Sequence, residues 1–467
     1  MGPMSPRLRF AISWASHTAL IAFFLLYAGS NTIHGFMVMS MSPERLAELW
    51  GDGDAGSYLK GALALVRDGT VGPEHAWILN LWPPGMVVLD AAVIAWSPLP
   101  FAVTIALLTA VAWGLTLALL TWRLIRSRRA ILFVAAGELL VLATPPFQTW
   151  MLDEAFIYSD GFAASALISG LTVLVLRGLS DGGKAVWVRD GVLAGILLAV
   201  AVYFRASNNI VPIMIGALAV VLVVVWAIRR ARRRPGENLV RHSVLLGVTT
   251  LTVIALLAPY AALTLARHGR IQSTQTDDVM YQLQWRDPAI QPNWLADAGV
   301  PLGCTLDPEV CAGFLAEYDG PPPVPEARAA LFAAIATHPI PWVVDRVSVV
   351  VKQWFREDYS SRAVADFDED ETIPVSASWN PNVPAGLFYL AMLVAALVFA
   401  VRLARRGHWT LLVVPLAAVA LLAPFAITHV EVRYLIPLKL LGLLAPTLWL
   451  AWRQSTRSVS AQVDGPR

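Results

Sequence analysis

The stretch Phe101-Ala-Val-Thr-Ile-Ala-Leu-Leu-Thr-Ala-Val-Ala-Trp-Gly-Leu-Thr-Leu-Ala-Leu-Leu-Thr121 decides the fold class. It contains no charge, and as a helix it would extend about 30 Å, the thickness of a bilayer's hydrocarbon core. The residues that follow, Trp122-Arg-Leu-Ile-Arg-Ser-Arg-Arg129, carry an arginine cluster. An apolar run of crossing length ending in arginines is the pattern of a transmembrane helix that emerges in the cytoplasm.

Working outward, similar runs cover 9–30, 130–145, 161–177, 190–206, 209–228, 242–265, 384–401, 409–427 and 434–452. The fold class expected is therefore all-α: a polytopic transmembrane helical protein with about ten spans. The composition agrees, with 57% apolar and 15% charged residues and a mean hydropathy of +0.60. Soluble domains carry about 25% charge. The first run follows Arg7 and Arg9 but is too long for a signal peptide's apolar region, and it lacks a small-residue cleavage site; it reads as an anchor.

Orientation follows from charge. With the N-terminus cytoplasmic, the inside segments are 1–8, 122–129, 177–190, 229–241, 402–408 and 453–467. They hold most of the 35 Lys and Arg residues but only the acids Asp181, Asp190, Glu237 and Asp464. Every Arg-rich turn then falls on one side, as the positive-inside rule requires. Counting Met86–Trp96 as a further span would break that pattern downstream. It is only about 11 residues long and contains Asp90, so it reads as a helix along the outer interface. The organisation expected is an N-terminal transmembrane module (1–265) with a first extracytoplasmic loop (31–100), a large extracytoplasmic loop (266–383), C-terminal transmembrane helices (384–452) and a short, polar, disordered cytoplasmic tail (453–467). A net charge of +2 gives no footprint for nucleic acid. The arginine-dominated basic content points to a bacterial origin, hence an inner or plasma membrane.

Within the first loop, Ser42–Trp50 is helix-like. The Gly51-Asp52-Gly53-Asp54 turn leads into a segment of helical periodicity ending at Arg67. Asp54 falls in its first turn, where the helix dipole favours a carboxylate, and shares a face with Tyr58. On pattern alone, helix capping explains Asp52 and Asp54 better than cation binding or general-base chemistry does, because Asp is a common N-cap. The second loop contains both cysteines of the chain, Cys304 and Cys311. In an oxidising compartment that spacing reads as a disulfide; two free thiols are the alternative. Residues 271–325 are rich in Pro, Gly and Asp and read as irregular, while Pro325–Phe355 reads as two interfacial amphipathic helices broken near His338-Pro339.

Further polar groups collect at the outer face. Asp153, Glu154 and Asp160 form an acidic cluster that capping can also explain. Arg205 ends an outward-running span and either snorkels or grips a lipid phosphate. The run His429-Val-Glu-Val-Arg-Tyr-Leu-Ile-Pro437 places His429, Glu431, Arg433 and Tyr434 in a short outer turn between apolar helices. Charged groups this close to hydrocarbon are usually functional.

Taken in order, Asp54-x-x-x-Tyr58, Trp82-Pro83-Pro84 with its interfacial helix, the Arg123–Arg129 turn, a second acid after the third span, Phe204-Arg205, the Ala330–Phe355 helices and Glu431-Val-Arg-Tyr434 resemble the GT-C superfamily of membrane glycosyltransferases. The similarity is greatest to the branch containing protein O-mannosyltransferases and lipid A aminoarabinose transferases. It spans nearly the whole chain as a pattern of short motifs. The resemblance implies inverting transfer of a sugar from a polyprenyl-phosphate carrier to an extracytoplasmic glycan, lipid or protein acceptor. It implies Asp54 as catalytic base and Asp160 as second acid, with Asp153 as rival. Arg205 and Arg433 would hold the donor phosphate, and Tyr58, Trp82, Asp153, His429, Glu431 and Tyr434 would line the substrate pocket. Some members employ a divalent cation and others do not, and the paired acids Asp52 and Asp54, where relatives often show one, leave metal use open. A transporter or flippase of a lipid-linked molecule, a polysaccharide polymerase or a silent scaffold are the competing readings. The absence of a visible repeat, with Glu138 as the only ionisable residue at mid-membrane depth, argues against a transporter.

Overall fold

The computed structural model describes residues 5–31, 39–51, 54–124, 159–180, 183–233, 237–269, 276–290, 298–356, 383–430 and 432–463. These residues are helical nearly throughout, with no β-strand among them. The chain begins with α1 (Pro6–Asn31) and four shorter helices: α2 (Pro43–Leu49), α3 (Asp54–Asp68), α4 (Ala76–Leu81) and α5 (Gly85–Trp96). Long helices follow as α6 (Phe101–Thr121), α7 (Asp160–Gly178), α8 (Lys184–Phe204), α9 (Ile210–Ala231) and α10 (Glu237–His268). Then come α11 (Thr276–Leu283), α12 (Leu302–Leu306), α13 (Pro308–Glu317), α14 (Val324–Thr337) and α15 (Pro339–Trp354). The chain closes with α16 (Val383–Arg405), α17 (Val413–Leu422), α18 (Val432–Leu441) and α19 (Ala445–Val463).

Among the described residues, eight helical stretches are long and apolar enough to cross a membrane: α6, α7, α8, Ala206–Ala231, Asn238–Ala266, α16, Trp409–Ala426 and Arg433–Thr456. Each falls on one of the apolar runs read from the sequence. The run at 9–30 folds as α1, 26 residues long, and is not one of the eight. The run at 130–145, with Glu138, lies outside the described residues.

Two findings depart from expectation. Residues 271–325 are not irregular where described, because α11, α12 and α13 lie within them. Pro308 opens α13, where Asp307 caps by accepting from the Val310 amide at 3.1 Å. A Pro at a first helical turn loses no hydrogen bond, so Pro-rich sequence need not mean loop. The expected polar tail continues as helix to Val463.

The chain forms two compact units. The first comprises Met1–Ser273, Tyr389–Leu421 and Pro437–Arg467. Its apolar helices are joined by buried hydroxyls: Thr116 on α6 lies 2.9 Å from both Ser165 and Ser169 on α7. With apolar solvent on the outside, such pairs supply direction that greasy packing lacks. At one end of α7 and α8, Arg177 is bonded to Asp190 at 2.6 Å. His242 on α10 bonds Thr410 at 2.6 Å and the Gly407 carbonyl at 3.0 Å.

The second unit comprises Thr274–Phe388 and Leu422–Ile436. Its core gathers Trp285, Leu302, Leu306, Ala327, Leu331 and the Cys304–Cys311 disulfide, which ties α12 to α13. Trp285 donates through its indole N–H to the Ala327 carbonyl at 2.8 Å. α14 and α15 meet at a bend of 102°. Pro339 and Pro341 set that bend, since a proline excludes helical geometry at the residue before it, here His338 with φ −122° and ψ 55°.

Candidate functional site

Asp54 is the first residue of α3, where the unpaired amides of a helix N-terminus favour negative charge. One turn on, Tyr58 is buried, and its ring meets Trp82 edge-on at 5.5 Å. Trp77 lies 5.8 Å beyond Trp82. Pro83 and Pro84 then turn the chain into α5. Gly85 at its start packs so closely on α8 that a Cβ there would run into the Tyr203 carbonyl oxygen. The Trp82-Pro-Pro-Gly85 motif therefore abuts the Tyr203-Phe-Arg205 helix end.

That helix end also meets the start of α7. Phe204 stacks on Phe162 at 5.3 Å, and Arg205 forms an ion pair with Asp160. α7 and α8 run antiparallel, so the first residue of one and the residue capping the other share one level. Asp160 is favoured by the N-terminus of α7 and Arg205 by the C-terminus of α8. Both side chains are largely withdrawn from solvent, at 6% and 21% exposure. Tyr58, Phe162, Met86, Val87 and Phe101 belong to one apolar core, with Trp82 and Phe204 packed against it. A single core therefore positions Asp54, Tyr58, Trp82, Asp160 and Arg205.

The second unit holds the other candidates. His429 is buried, with Nε2 2.9 Å from the Tyr434 hydroxyl and Nδ1 3.1 Å from Met280 Sδ. Tyr434 stacks on Phe425 at 6.4 Å and carries the Arg433 guanidinium 5.3 Å from its ring centroid. The turn is held from behind by Arg346, which donates to the carbonyls of Thr428 at 2.9 Å and Gly299 at 2.7 Å and pairs with Asp345. The Val430 amide donates to the Ala298 carbonyl at 3.0 Å. Asp52, Asp153, Glu154 and Glu431 lie outside the described residues.

Three residues with notable surroundings were not singled out by sequence reasoning. Asp90 on α5 is 1% exposed, and its Oδ1 has no hydrogen-bond partner. Burial pushes its carboxyl well above the ordinary carboxylate range. The signal was one acid in an otherwise apolar helix, Gly85–Trp96. Lys439 is 2% exposed within the stretch Arg433–Thr456. Arg346 gave no signal, because its role is to bond carbonyls distant in sequence.

No three His, Cys, Asp or Glu side chains gather as a metal-ligand set among the described residues. The chain matches no family model, and no curated protein or solved structure is significantly similar to it.

Proposed function

We propose that this chain is an inverting glycosyltransferase that moves a sugar from a polyprenyl-phosphate carrier to an extracytoplasmic acceptor. In this reading it is a GT-C-like protein of about ten spans in a bacterial inner or plasma membrane. Both termini are cytoplasmic, and two extracytoplasmic loops carry interfacial helices. One observation carries the proposal: Asp54 opens a helix seated on the same apolar core as the ends of α7 and α8 that bear the Asp160–Arg205 pair. A carboxylate, a guanidinium and the aromatic rings of Tyr58 and Trp82 thus belong to one rigid neighbourhood.

Asp54 accepts the proton of the acceptor hydroxyl as that oxygen attacks the anomeric carbon. The bond from that carbon to the carrier's phosphate oxygen breaks in the same displacement, inverting the configuration. The departing lipid phosphate gains charge, which a preorganised guanidinium stabilises. Arg205 has five N–H donors and can hold a phosphate oxygen without releasing Asp160. His429, Arg433 and Tyr434 keep the pocket-lining and phosphate-binding roles that the resemblance implies, each open to its own substitution.

The test compares purified wild-type protein with Asp54→Asn, using radiolabelled polyprenyl-phosphate sugars and a membrane acceptor extract. Transfer by wild type, with a loss of at least about 100-fold in the folded variant, is expected. Equal transfer by both removes Asp54 from the mechanism. No transfer by wild type with any donor turns attention to a transporter of a lipid-linked molecule. That second reading is favoured by Lys439, a buried cation within an apolar stretch, since such groups often mark transport pathways.

A further inference from the structure

The first unit holds an arginine cluster with no carboxylate bonded to it among the described residues. Its C-terminal pieces, 389–421 and 437–467, carry three and four Lys or Arg residues, against the single acid Asp464. At the end of α16, the guanidinium carbons of Arg402 and Arg406 lie 5.6 and 5.9 Å from the ring centroid of Trp452 on α19. Arg406 donates to the Ser455 hydroxyl at 2.6 Å, and Arg453 lies 5.4 Å from the Trp449 ring. Arg402, Arg406 and Arg453 are exposed, and none of the three forms an ion pair among the described residues. Stacking on an indole face occupies no N–H, so most of the five donors of each stay available. Arg177 and Arg189 show the opposite arrangement, both bonded to Asp190. The dipole of α16 favours cations at its C-terminal end. It does not explain Arg453, which lies in the middle of α19, or a tryptophan contacted by two guanidinia of another helix.

Two hydrogen bonds within the unit fix the level of the cluster. Thr447 on α19 donates to the Leu120 carbonyl at the end of α6 at 2.9 Å, and Arg123, just beyond α6, donates to the Leu179 carbonyl just beyond α7 at 2.7 Å. The cluster therefore lies at the Gly178 end of α7. Asp160 and Arg205 meet at the other end, about 28 Å away along its 19 residues, so the cluster is not the donor site proposed above. On α16, Leu390, Val394 and Val398 follow one another at four-residue spacing, 40–50% exposed, and the next position of that row is Arg402. One face of a helix long and apolar enough to cross a membrane thus passes from apolar to cationic within a turn. Phe399 packs on Trp452 at 5.6 Å at that same boundary, the position tryptophan favours between hydrocarbon and headgroups.

We propose that this cluster holds the headgroup of an anionic phospholipid of the surrounding bilayer, with the phosphate taken by Arg402, Arg406 and Arg453 and an acyl chain lying along the Leu390–Val398 row. Planar guanidinia grip phosphate oxygens in pairs, and basic clusters bordering apolar helix faces are the sites that anionic headgroups occupy. A zwitterionic lipid is disfavoured, since its ammonium would meet cations only. The apolar row leading into Arg402 selects a lipid over free phosphate. Bound there, the lipid ties the end of α16 to α19. The inference is independent of sugar transfer.

Purified protein in neutral detergent is incubated with equal amounts of phosphatidylglycerol and phosphatidylcholine, and bound lipids are counted by native mass spectrometry. Wild type is compared with Arg402→Gln/Arg406→Gln and with Arg229→Gln/Arg230→Gln. The latter removes the same charge at the end of α9, where Arg230 lies 5.4 Å from Trp226 but both belong to a single helix. Wild type and the α9 variant are expected to retain several-fold more phosphatidylglycerol than phosphatidylcholine, and the α16 variant to lose most of that preference. No preference in wild type would overturn the proposal. Equal loss in both variants would reduce the cluster to a general basic collar and overturn it too. A parallel sample contains a large excess of glycerol 3-phosphate, and displacement of the lipid there would overturn lipid binding in favour of a soluble phosphate. The single variants Arg402→Gln and Arg406→Gln, each expected to lower the preference, keep the test intact if the double variant does not fold.

Discussion

Asp160 and Asp90 are sunk to similar depths in the first unit, at 5% and 1% exposure, yet their surroundings are opposite. Asp160 begins a helix and is paired with Arg205 at the end of the neighbouring one. Asp90 sits in the middle of α5, with an oxygen that bonds to nothing and a carboxyl pushed toward its neutral form. Depth of burial therefore does not set the charge of an acid; the dipoles and counter-charges that meet it do. In the region around Asp160 the fold retains a charge that chemistry can use. The region around Asp90 accommodates a proton.

The largest effect expected from breaking this contrast is at Arg205. Arg205→Ala removes the cation paired with the buried Asp160 carboxylate and should cost about 3–5 kcal/mol, read by thermal or denaturant unfolding in detergent. Adding Asp160→Asn should recover part of that loss, and the four variants form a double-mutant cycle. Unchanged stability in Arg205→Ala would mean that the pair contributes nothing and the contrast fails. Next in size is Gly85→Ala, where the two regions touch. Its methyl group runs into the Tyr203 carbonyl and should destabilise by about 1–3 kcal/mol, while a variant as stable as wild type would show that α5 and α8 separate freely.

The most gradual effect, the smallest per step, sharpens the contrast through pH. The Asp90 carboxyl has a folded-state pKa raised above its unfolded value of about 3.9. Between those two values the folded chain binds the extra proton, so stability falls as pH rises above about 4 and levels off beyond the folded pKa. The slope reaches at most about 1.4 kcal/mol per pH unit for one group. Asp90→Asn should lack this component, so unfolding curves of the two proteins should diverge as pH rises. Parallel curves from pH 4 to 9 would show Asp90 ionised and solvated in the folded state.

What the sequence made legible was whatever is local. Apolar runs predict long helices because length and hydropathy alone satisfy the hydrocarbon, and eight of them are helices long enough to span it. The helical periodicity after Asp54 predicts α3, and the Pro-broken pattern around His338 predicts two helices, where α14 and α15 stand. Pairings were not legible. Asp160 and Arg205 were each picked out as polar groups at an outer helix end, but nothing in a single sequence states that they bond each other across 45 positions. Asp90 looked like the polar residue of a surface helix, whereas it is 1% exposed, a burial that its own segment does not announce. Arg346 escaped for the same reason, since its partners Gly299 and Thr428 come from opposite sides of it in sequence.

The second unit is built from two pieces, Thr274–Phe388 and Leu422–Ile436, with Tyr389–Leu421 belonging to the first unit between them. That interruption dictates an order of manufacture. A ribosome delivers α11–α15 first, then α16 and α17, and only afterwards the turn whose Thr428 carbonyl and Val430 amide bond Arg346 and Ala298. The unit that emerges early must wait, incomplete, for a strap made after two membrane-length stretches, α16 and Trp409–Ala426, have been handed to the insertion machinery. Until that strap arrives, the Arg346 guanidinium lacks one of its carbonyl partners, and the nascent chain presents an open seam to whatever quality control attends it.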